Sequence, residues 1–261
     1  MTPILLLGAG RMGGALISGW RRSGAFSLTD LMIREPHPDA EISALDGAVL
    51  NPPSGDLARA KTVLLAVKPQ VWRSVAAEVA DHLAPDAVIV SIAAGVGGAD
   101  IAMAFGGRRV ARVMPTTAVA IGKGTASIFA AEPEAAARAH ALFSPVASVV
   151  DLDDEGLMHA ATAVSGSGPA YLYAFVEALE AAGVRAGLSA EASGALARST
   201  VIGAAALLAD SGAEPAELRR QVTSPGGTTQ AALEVLIGQG ALADLLDKAV
   251  AAAVARSKEL G

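Results

Sequence analysis

The sequence predicts an α/β domain on a doubly wound parallel sheet, followed by an all-helical domain. Three observations carry that expectation. Up to about Asp151, short unbroken runs of Val, Ile and Leu alternate with amphipathic stretches. The cluster Gly8-Ala9-Gly10-Arg11-Met12-Gly13 directly follows the first of those runs. From Glu155 onward only alanine-rich helical segments remain.

The predicted strands are Ile4–Leu7, Leu31–Ile33, Thr62–Val67, Ala87–Ser91 and Val110–Val113. Continuous apolar runs of this length suit strands covered on both faces, as in a parallel sheet. Met12–Ser23 and Gln70–Leu83 read as intervening helices, which makes βαβ units. The later helices are expected near Glu155–Val164, Pro169–Ala182, Ala190–Asp210, Pro215–Val222, Thr229–Gly238 and Ala241–Leu260. Pro169 suits a first helical turn, where its missing N–H costs nothing, with Ser167 or Gly168 as cap. The domains are expected at 1–152 and 153–261.

Bulk composition narrows the function. The 261 residues are 52% apolar, yet only 3% aromatic, and the net charge is −6. So few aromatics argue against stacking on a nucleic acid, and the net negative charge argues the same way, since a polyanion binder usually needs a basic face. It has no cysteine, hence no disulfide framework and no thiolate nucleophile or ligand. The start lacks a signal-peptide pattern, and Asp86, Asp100 and several glycines interrupt the apolar window Ala84–Phe105. The protein is therefore expected to be soluble, with a reducing, cytoplasmic setting. Apolar helices with no sheet to cover them suggest burial against a second copy; a self-contained bundle is the alternative.

Gly8-x-Gly10-x-x-Gly13 stands where a Rossmann fingerprint should, between a strand and a helix. Gly8 permits the turn, Gly10 admits the pyrophosphate, and Gly13 lets helix and strand approach. The second strand ends Met32-Ile33-Arg34-Glu35-Pro36. Arg34 falls where a guanidinium could meet a 2′-phosphate, which favours NADPH. Glu35 could instead accept from a ribose hydroxyl, leaving NADH open, and both residues could be plain solvated charges. Lys68 closes another strand at the ligand edge, as a cofactor contact or an ordinary exposed lysine. Met114-Pro115-Thr116-Thr117 ends a later strand at the same edge and could line a nicotinamide pocket.

The chemistry has little acid–base equipment. His37, His82, His140 and His159 are isolated from one another and from acidic partners, so no metal site is expected. His159 reads as structural, and no nucleophile elbow is present. Reduction of a cyclic imine fits this poverty, because a protonated C=N bond accepts hydride directly once it is positioned. Ser224-Pro225-Gly226-Gly227-Thr228-Thr229 could provide that positioning. Backbone N–H groups around Gly226, Gly227 and Thr228 could hold a carboxylate, and the Thr229 hydroxyl could bond the ring nitrogen. Ser224 could assist or cap a turn, and the whole segment could equally be an interhelical turn.

Taken together, the motifs resemble the pyrroline-5-carboxylate reductase family. They are Gly8 to Gly13, Ala66-Val67-Lys68-Pro69, Val90 to Val96, Arg112-Val113-Met114-Pro115, Val164 to Tyr171 and Ser224 to Thr229, in family order over nearly the whole chain. The resemblance implies a Rossmann domain followed by an interlocking helical dimerisation domain, with dimers that often build a ring-like decamer. It implies cytoplasmic NAD(P)H-dependent reduction of 1-pyrroline-5-carboxylate to L-proline, the last step of proline synthesis. Substrate would lie between the nicotinamide and the glycine-threonine loop, near the dimer interface. It would be bound by Ser224, Gly226, Gly227, Thr228 and Thr229, with Thr229 on the imine nitrogen. The cofactor residues implied by the matched motifs are Gly8, Gly10, Arg11, Met12, Gly13, Ala66, Val67, Lys68, Pro69, Met114 and Pro115, joined by Arg34. Asn51 matches a family asparagine near the adenine ribose.

The chain departs from the family at three places. Arg11 and Thr116 each replace a usual asparagine, and Ala118 replaces a proline. Arg11 adds positive charge near the pyrophosphate, and Thr116 removes an amide near the nicotinamide. A reductase of a related six-membered cyclic imine acid and a non-catalytic dinucleotide sensor are the alternatives.

Overall fold

The computed structural model describes residues 1–259. Leu260, expected to close the last helix, and Gly261, the expected domain end, lie outside the described residues. Among the described residues eight strands form one sheet: β1 (Ile4–Leu7), β2 (Leu31–Arg34), β3 (Val49–Leu50), β4 (Thr62–Leu65), β5 (Val88–Ser91), β6 (Val110–Pro115), β7 (Gly124–Ala130) and β8 (Ala147–Asp151). Their order is β3-β2-β1-β4-β5-β6-β7-β8. Neighbours are parallel except β6 and β7, which run antiparallel.

The helices of the α/β part are α1 (Arg11–Ser23), α2 (Ala40–Ser43), α3 (Trp72–Val79), α4 (Gly98–Ala104), α5 (Pro133–Phe143) and α6 (Leu157–Ala161). Strand alternation sends neighbouring side chains into two separate cores. Ile4 and Leu6 join one cluster with Leu16, Trp20 and Phe143; Leu5 and Leu7 join the other with Trp72, Ile101 and Phe105. All four β1 side chains are fully buried, which explains why β1 reads as an unbroken apolar run. Trp20 keeps its indole N–H satisfied in that core by donating to the Leu142 carbonyl at 2.7 Å.

Five expected strands and two expected helices of the α/β part are present, with altered ends. The Thr62–Val67 strand stops at Leu65. Ala66 still donates to Leu7 O at 2.8 Å, after which the chain turns into the loop before α3. Helix Gln70–Leu83 contracts to Trp72–Val79 with a 3₁₀ turn at Ala80–His82. The strands β3, β7 and β8 were not expected. β3 has two residues, β7 is diluted by Gly, Thr, Ala and Ser, and β8 is a partly exposed outer strand. None presents the dense branched run that marks the buried strands.

Two compact units divide the chain. One comprises residues 1–166 and the final stretch from Ala253; the other comprises residues 167–252. α6 and a following π-helical turn, Thr162–Gly166, group with the first compact unit, although both follow the boundary expected after residue 152. The second unit contains α7 (Gly168–Arg185), α8 (Ala190–Ser211), α9 (Pro215–Gln221) and α10 (Thr228–Leu236), and α11 (Ala241–Glu259) begins in it. α7 and α8 pack closely at Gly183, where a Cβ would fall well inside 3.0 Å of Ser193 Oγ. Ser193 donates to the Glu180 carbonyl at 2.7 Å, and Arg198 pairs with Glu180 at 2.7 Å.

Within residues 167–252, only Ser193 and Ala197 are fully buried. Ile202 and Val235 are 69% and 77% exposed, and Tyr173, Leu196 and Leu245 are also open. An apolar groove of about 490 Å³ runs between Leu172, Tyr173, Val176, Val201, Ile202 and Ala205. So much uncovered apolar surface marks an interaction face. By length and hydropathy alone α8 could also cross a membrane.

Candidate functional site

β1 lies between β2 and β4, where the strand order reverses, and ligands of open α/β sheets bind beyond the carboxyl ends at such a point. A cavity of about 700 Å³ sits there. Gly8, Gly10, Arg34, Asn51, Ala66, Val67 and Lys68, all expected at the cofactor, line it. Arg11, Met12, Gly13, Pro69, Met114 and Pro115 do not line it.

The three glycines serve separate purposes. Gly8 has φ +93°, and a Cβ there would meet Val67 Cγ1 at 2.8 Å and Ala66 O at 2.9 Å. A Cβ on Gly13 would fall well inside 3.0 Å of the Gly8 carbonyl oxygen, so glycine is what lets α1 approach β1. At Gly10 a Cβ would have nothing within 4 Å, leaving room for a ligand against the backbone. Gly10 caps α1 without a side-chain bond, and no acid stands in the first turn. The free N–H groups and positive end of α1 therefore suit a pyrophosphate, with Arg11 exposed on that first turn.

The end of β2 is more ordered than solvated charges would be. Glu35 accepts from the Ala9 N–H at 2.9 Å and the His37 N–H at 3.0 Å, so its carboxylate braces the glycine loop. Asn51, at φ +49°, accepts from the Glu35 N–H and donates to the Glu35 carbonyl, each at 3.0 Å. Arg34 donates to Glu78 at 2.6 Å and to the Pro52 carbonyl at 3.4 Å. Val71, Val75, Glu78 and Val79 complete the wall beside α3. The sequence reading missed Glu78, because a partner 44 residues away leaves no local signal.

The other expected cofactor residues are placed as follows. Met12 packs partly buried against the core. Met114 and Pro115 end β6, both buried. A Cβ built on Gly166, in the π turn, would reach Met114 Cγ and Sδ at 3.7 Å. Thr116 is buried, and its Oγ1 accepts from the Thr125 N–H at 3.0 Å, so the residue pins the β6–β7 connection.

Two charged clusters lie apart from the cavity lining. Arg112 is 5% exposed and donates to Glu155 at 2.9 Å; the same carboxylate oxygen accepts from the Gly98 N–H at 2.6 Å. His159 Nδ1 lies 3.0 Å from Ser257 Oγ, in keeping with a structural histidine. Burial first, then the positive charges of Arg112 and Lys258, hold the His159 pKa below its ordinary value against the pull of Glu155. His140 does have an acidic partner, contrary to expectation: Asp151 Oδ1, 2.8 Å from its Nε2 on β8. Among the described residues no three His, Cys, Asp or Glu side chains converge as a metal site would require.

In the second unit, Ser224 to Thr229 turns the chain from α9 into α10. Gly226 takes φ +69° and donates to Gln230 Oε1 at 2.7 Å, and Gly227 donates to the Ser224 carbonyl at 3.0 Å. Two of the three N–H groups expected to receive a carboxylate are thus engaged within the loop, while the third, on Thr228, opens α10. Open donors lie slightly later, at the first-turn N–H groups of α10 and the Thr228 and Thr229 hydroxyls. Gly227 caps that helix without a side-chain bond, and Thr228 is exposed.

Comparison with known proteins accounts for both units. Residues 155–260 match the family described as "Pyrroline-5-carboxylate reductase dimerisation", and residues 3–95 match "NADP oxidoreductase coenzyme F420-dependent". A pyrroline-5-carboxylate reductase of Pseudomonas aeruginosa is 40% identical, with 99% of this chain and 97% of that protein covered. The solved pyrroline-5-carboxylate reductase of Coxiella burnetii superposes with TM-score 0.91 at 31% identity, covering 100% of this chain and 98% of the other. A Plasmodium falciparum pyrroline carboxylate reductase solved with NADP bound gives TM-score 0.85 at 26% identity, covering 100% and 98%. With identity of this level sustained over nearly its full length, the chain belongs to the pyrroline-5-carboxylate reductase family.

Proposed function

We propose that this chain reduces 1-pyrroline-5-carboxylate to L-proline, with NADPH as the hydride donor. The observation that carries the reading is the open donor set at the start of α10, in a chain that also has a nucleotide crevice at β1 and β4. The glycine loop and α1 hold the pyrophosphate, and Arg34 takes the 2′-phosphate. Asn51 shapes the adenosine end, Ala66 to Pro69 border the ribose, and Met114 and Pro115 border the nicotinamide. When bound, NADPH supplies a hydride to the imine carbon. The chain's own task is to position that carbon. First-turn N–H groups of α10 and the Thr228 hydroxyl hold the carboxylate, Ser224 supports the turn, and the Thr229 hydroxyl bonds the ring nitrogen. The substrate enters with its ring nitrogen protonated, so hydride addition alone completes the neutral amine and no side chain need supply or withdraw a proton.

The exposed apolar faces of α7, α8 and α10 are covered by a second copy, making a homodimer, with a decamer as the higher assembly. α8 then spends its hydropathy on that interface, and the protein works in the cytoplasm. The functional division is a cofactor domain at 1–152 and a substrate and dimerisation domain at 153–261.

Thr229→Ala tests the site. Losing one bond to a charged group should slow pyrroline-carboxylate reduction by about 10- to 100-fold while NADPH still binds. Turnover at the wild-type rate would remove Thr229 from the reaction. Wild-type protein that binds NADPH but prefers a six-membered imine, or reduces neither ring, would replace the proposed substrate or the enzyme reading.

A further inference from the structure

The nucleotide cavity contains an anion that the proposed reaction does not use. Glu78 and Arg34 both line the cavity, and Glu78 Oε1 accepts from Arg34 Nη1 at 2.6 Å. Arg34 is the guanidinium at the end of β2, where the adenosine ribose of a bound dinucleotide falls. The other acid at that strand end is occupied elsewhere, because both Glu35 oxygens accept backbone N–H groups. Lys68 is the other lining cation, and it is exposed. Among these groups Glu78 alone is paired with Arg34, and a 2′-phosphate must share or displace it.

Exposure decides which partner yields. The Arg34 side chain is 21% exposed and also held by the Pro52 carbonyl, whereas Glu78 is 66% exposed. Glu78 can swing into water at little cost, while Arg34 stays at the cavity wall. We propose that Glu78 is a specificity-determining residue. It competes with the 2′-phosphate for Arg34 and keeps the preference for NADPH over NADH below what Arg34 alone would confer. The inference rests on the cavity being the NADPH site. A wet ion pair is weak, but a bound phosphate also meets the repulsion of a nearby carboxylate, so removing that charge should tighten NADPH by roughly 3- to 10-fold. NADH carries a neutral hydroxyl there and has no reason to displace Glu78.

Binding of NADPH and of NADH to wild type, Glu78→Gln and Arg34→Gln, by calorimetry at fixed ionic strength, tests this. The expected result is tighter NADPH binding by Glu78→Gln with NADH changed less than about twofold, and NADPH selectivity lost in Arg34→Gln. Weaker NADPH binding by Glu78→Gln would mean that Glu78 orients Arg34, and would overturn the proposal. Equal tightening of both nucleotides would overturn it too, since the effect would then be general charge. Circular dichroism confirms that the exposed substitution folds. Because the readout is nucleotide binding, a failure to reduce pyrroline carboxylate leaves this test intact and counts only against the proposed reaction.

Discussion

Replacing Gly13 and Gly10 separately with alanine should divide the glycine fingerprint into a packing role and a ligand role. At Gly13 the new methyl would stand well inside 3.0 Å of the Gly8 carbonyl oxygen. Neither partner can swing away. The Gly8 N–H is tied to Arg34 O at 2.8 Å, and α1 is anchored by fully buried Leu16 and Trp20. Restoring ordinary contact requires α1 to retreat by roughly 1 Å, which a close-packed core resists. Overpacking of this kind costs about 1–3 kcal/mol, or about 2–12 °C in the melting of the first unit. At Gly10 the methyl meets no protein atom within 4 Å, and φ of −66° suits any residue. The reduced freedom of the unfolded chain then offsets the weaker cap, and stability should stay within about 1 kcal/mol of wild type. NADPH affinity should nevertheless fall in both variants, because the Gly10 methyl occupies space meant for pyrophosphate. Thermal melts and NADPH titrations of the two variants make the comparison. Equal melting temperatures, or an unaltered NADPH affinity in Gly10→Ala, would refute the division of roles.

Glu155→Ala should destabilise the first unit by about 1–3 kcal/mol in urea melts, since it leaves the buried Arg112 guanidinium and the Gly98 N–H without their acceptor. Glu155→Gln, which keeps an oxygen, should lose less. Stability should also fall with pH through His159. Its folded pKa lies below the ordinary value, so the unfolded chain takes up a proton near pH 6.5 that the folded chain refuses. The stability present above about pH 6.5 is therefore lost as pH falls toward the folded pKa, and His159→Gln should flatten that part of the melting-temperature profile. Gly227→Ala should lower kcat/KM for pyrroline carboxylate by about 10- to 100-fold at unchanged NADPH affinity, because its Cβ would collide with Ser224 Oγ and distort the start of α10. Adding Ser224→Ala removes the colliding atom and should recover part of the loss.

The residues themselves determined the fold class, the glycine loop, the change from α/β to all-helical texture and the helix-start loop at Ser224–Thr229. Each is a local pattern: a buried strand is a short apolar run, and a backbone turn needs a glycine at a known place. Strands β3, β7 and β8 were not legible, since a two-residue strand, a diluted strand and a partly exposed outer strand lack that run. Within the candidate site, tertiary structure decided which donors remain open. Gly226 and Gly227 direct their N–H groups to Gln230 and Ser224, which leaves the expected Thr228 N–H and the rest of the first turn of α10 as the available donors. Tertiary structure also decided that Glu35 braces the Ala9 N–H and that Arg34 faces Glu78. Composition and spacing cannot report such pairs, because a charge at a strand end looks the same whether it meets water or a carboxylate folded onto it from 44 residues away.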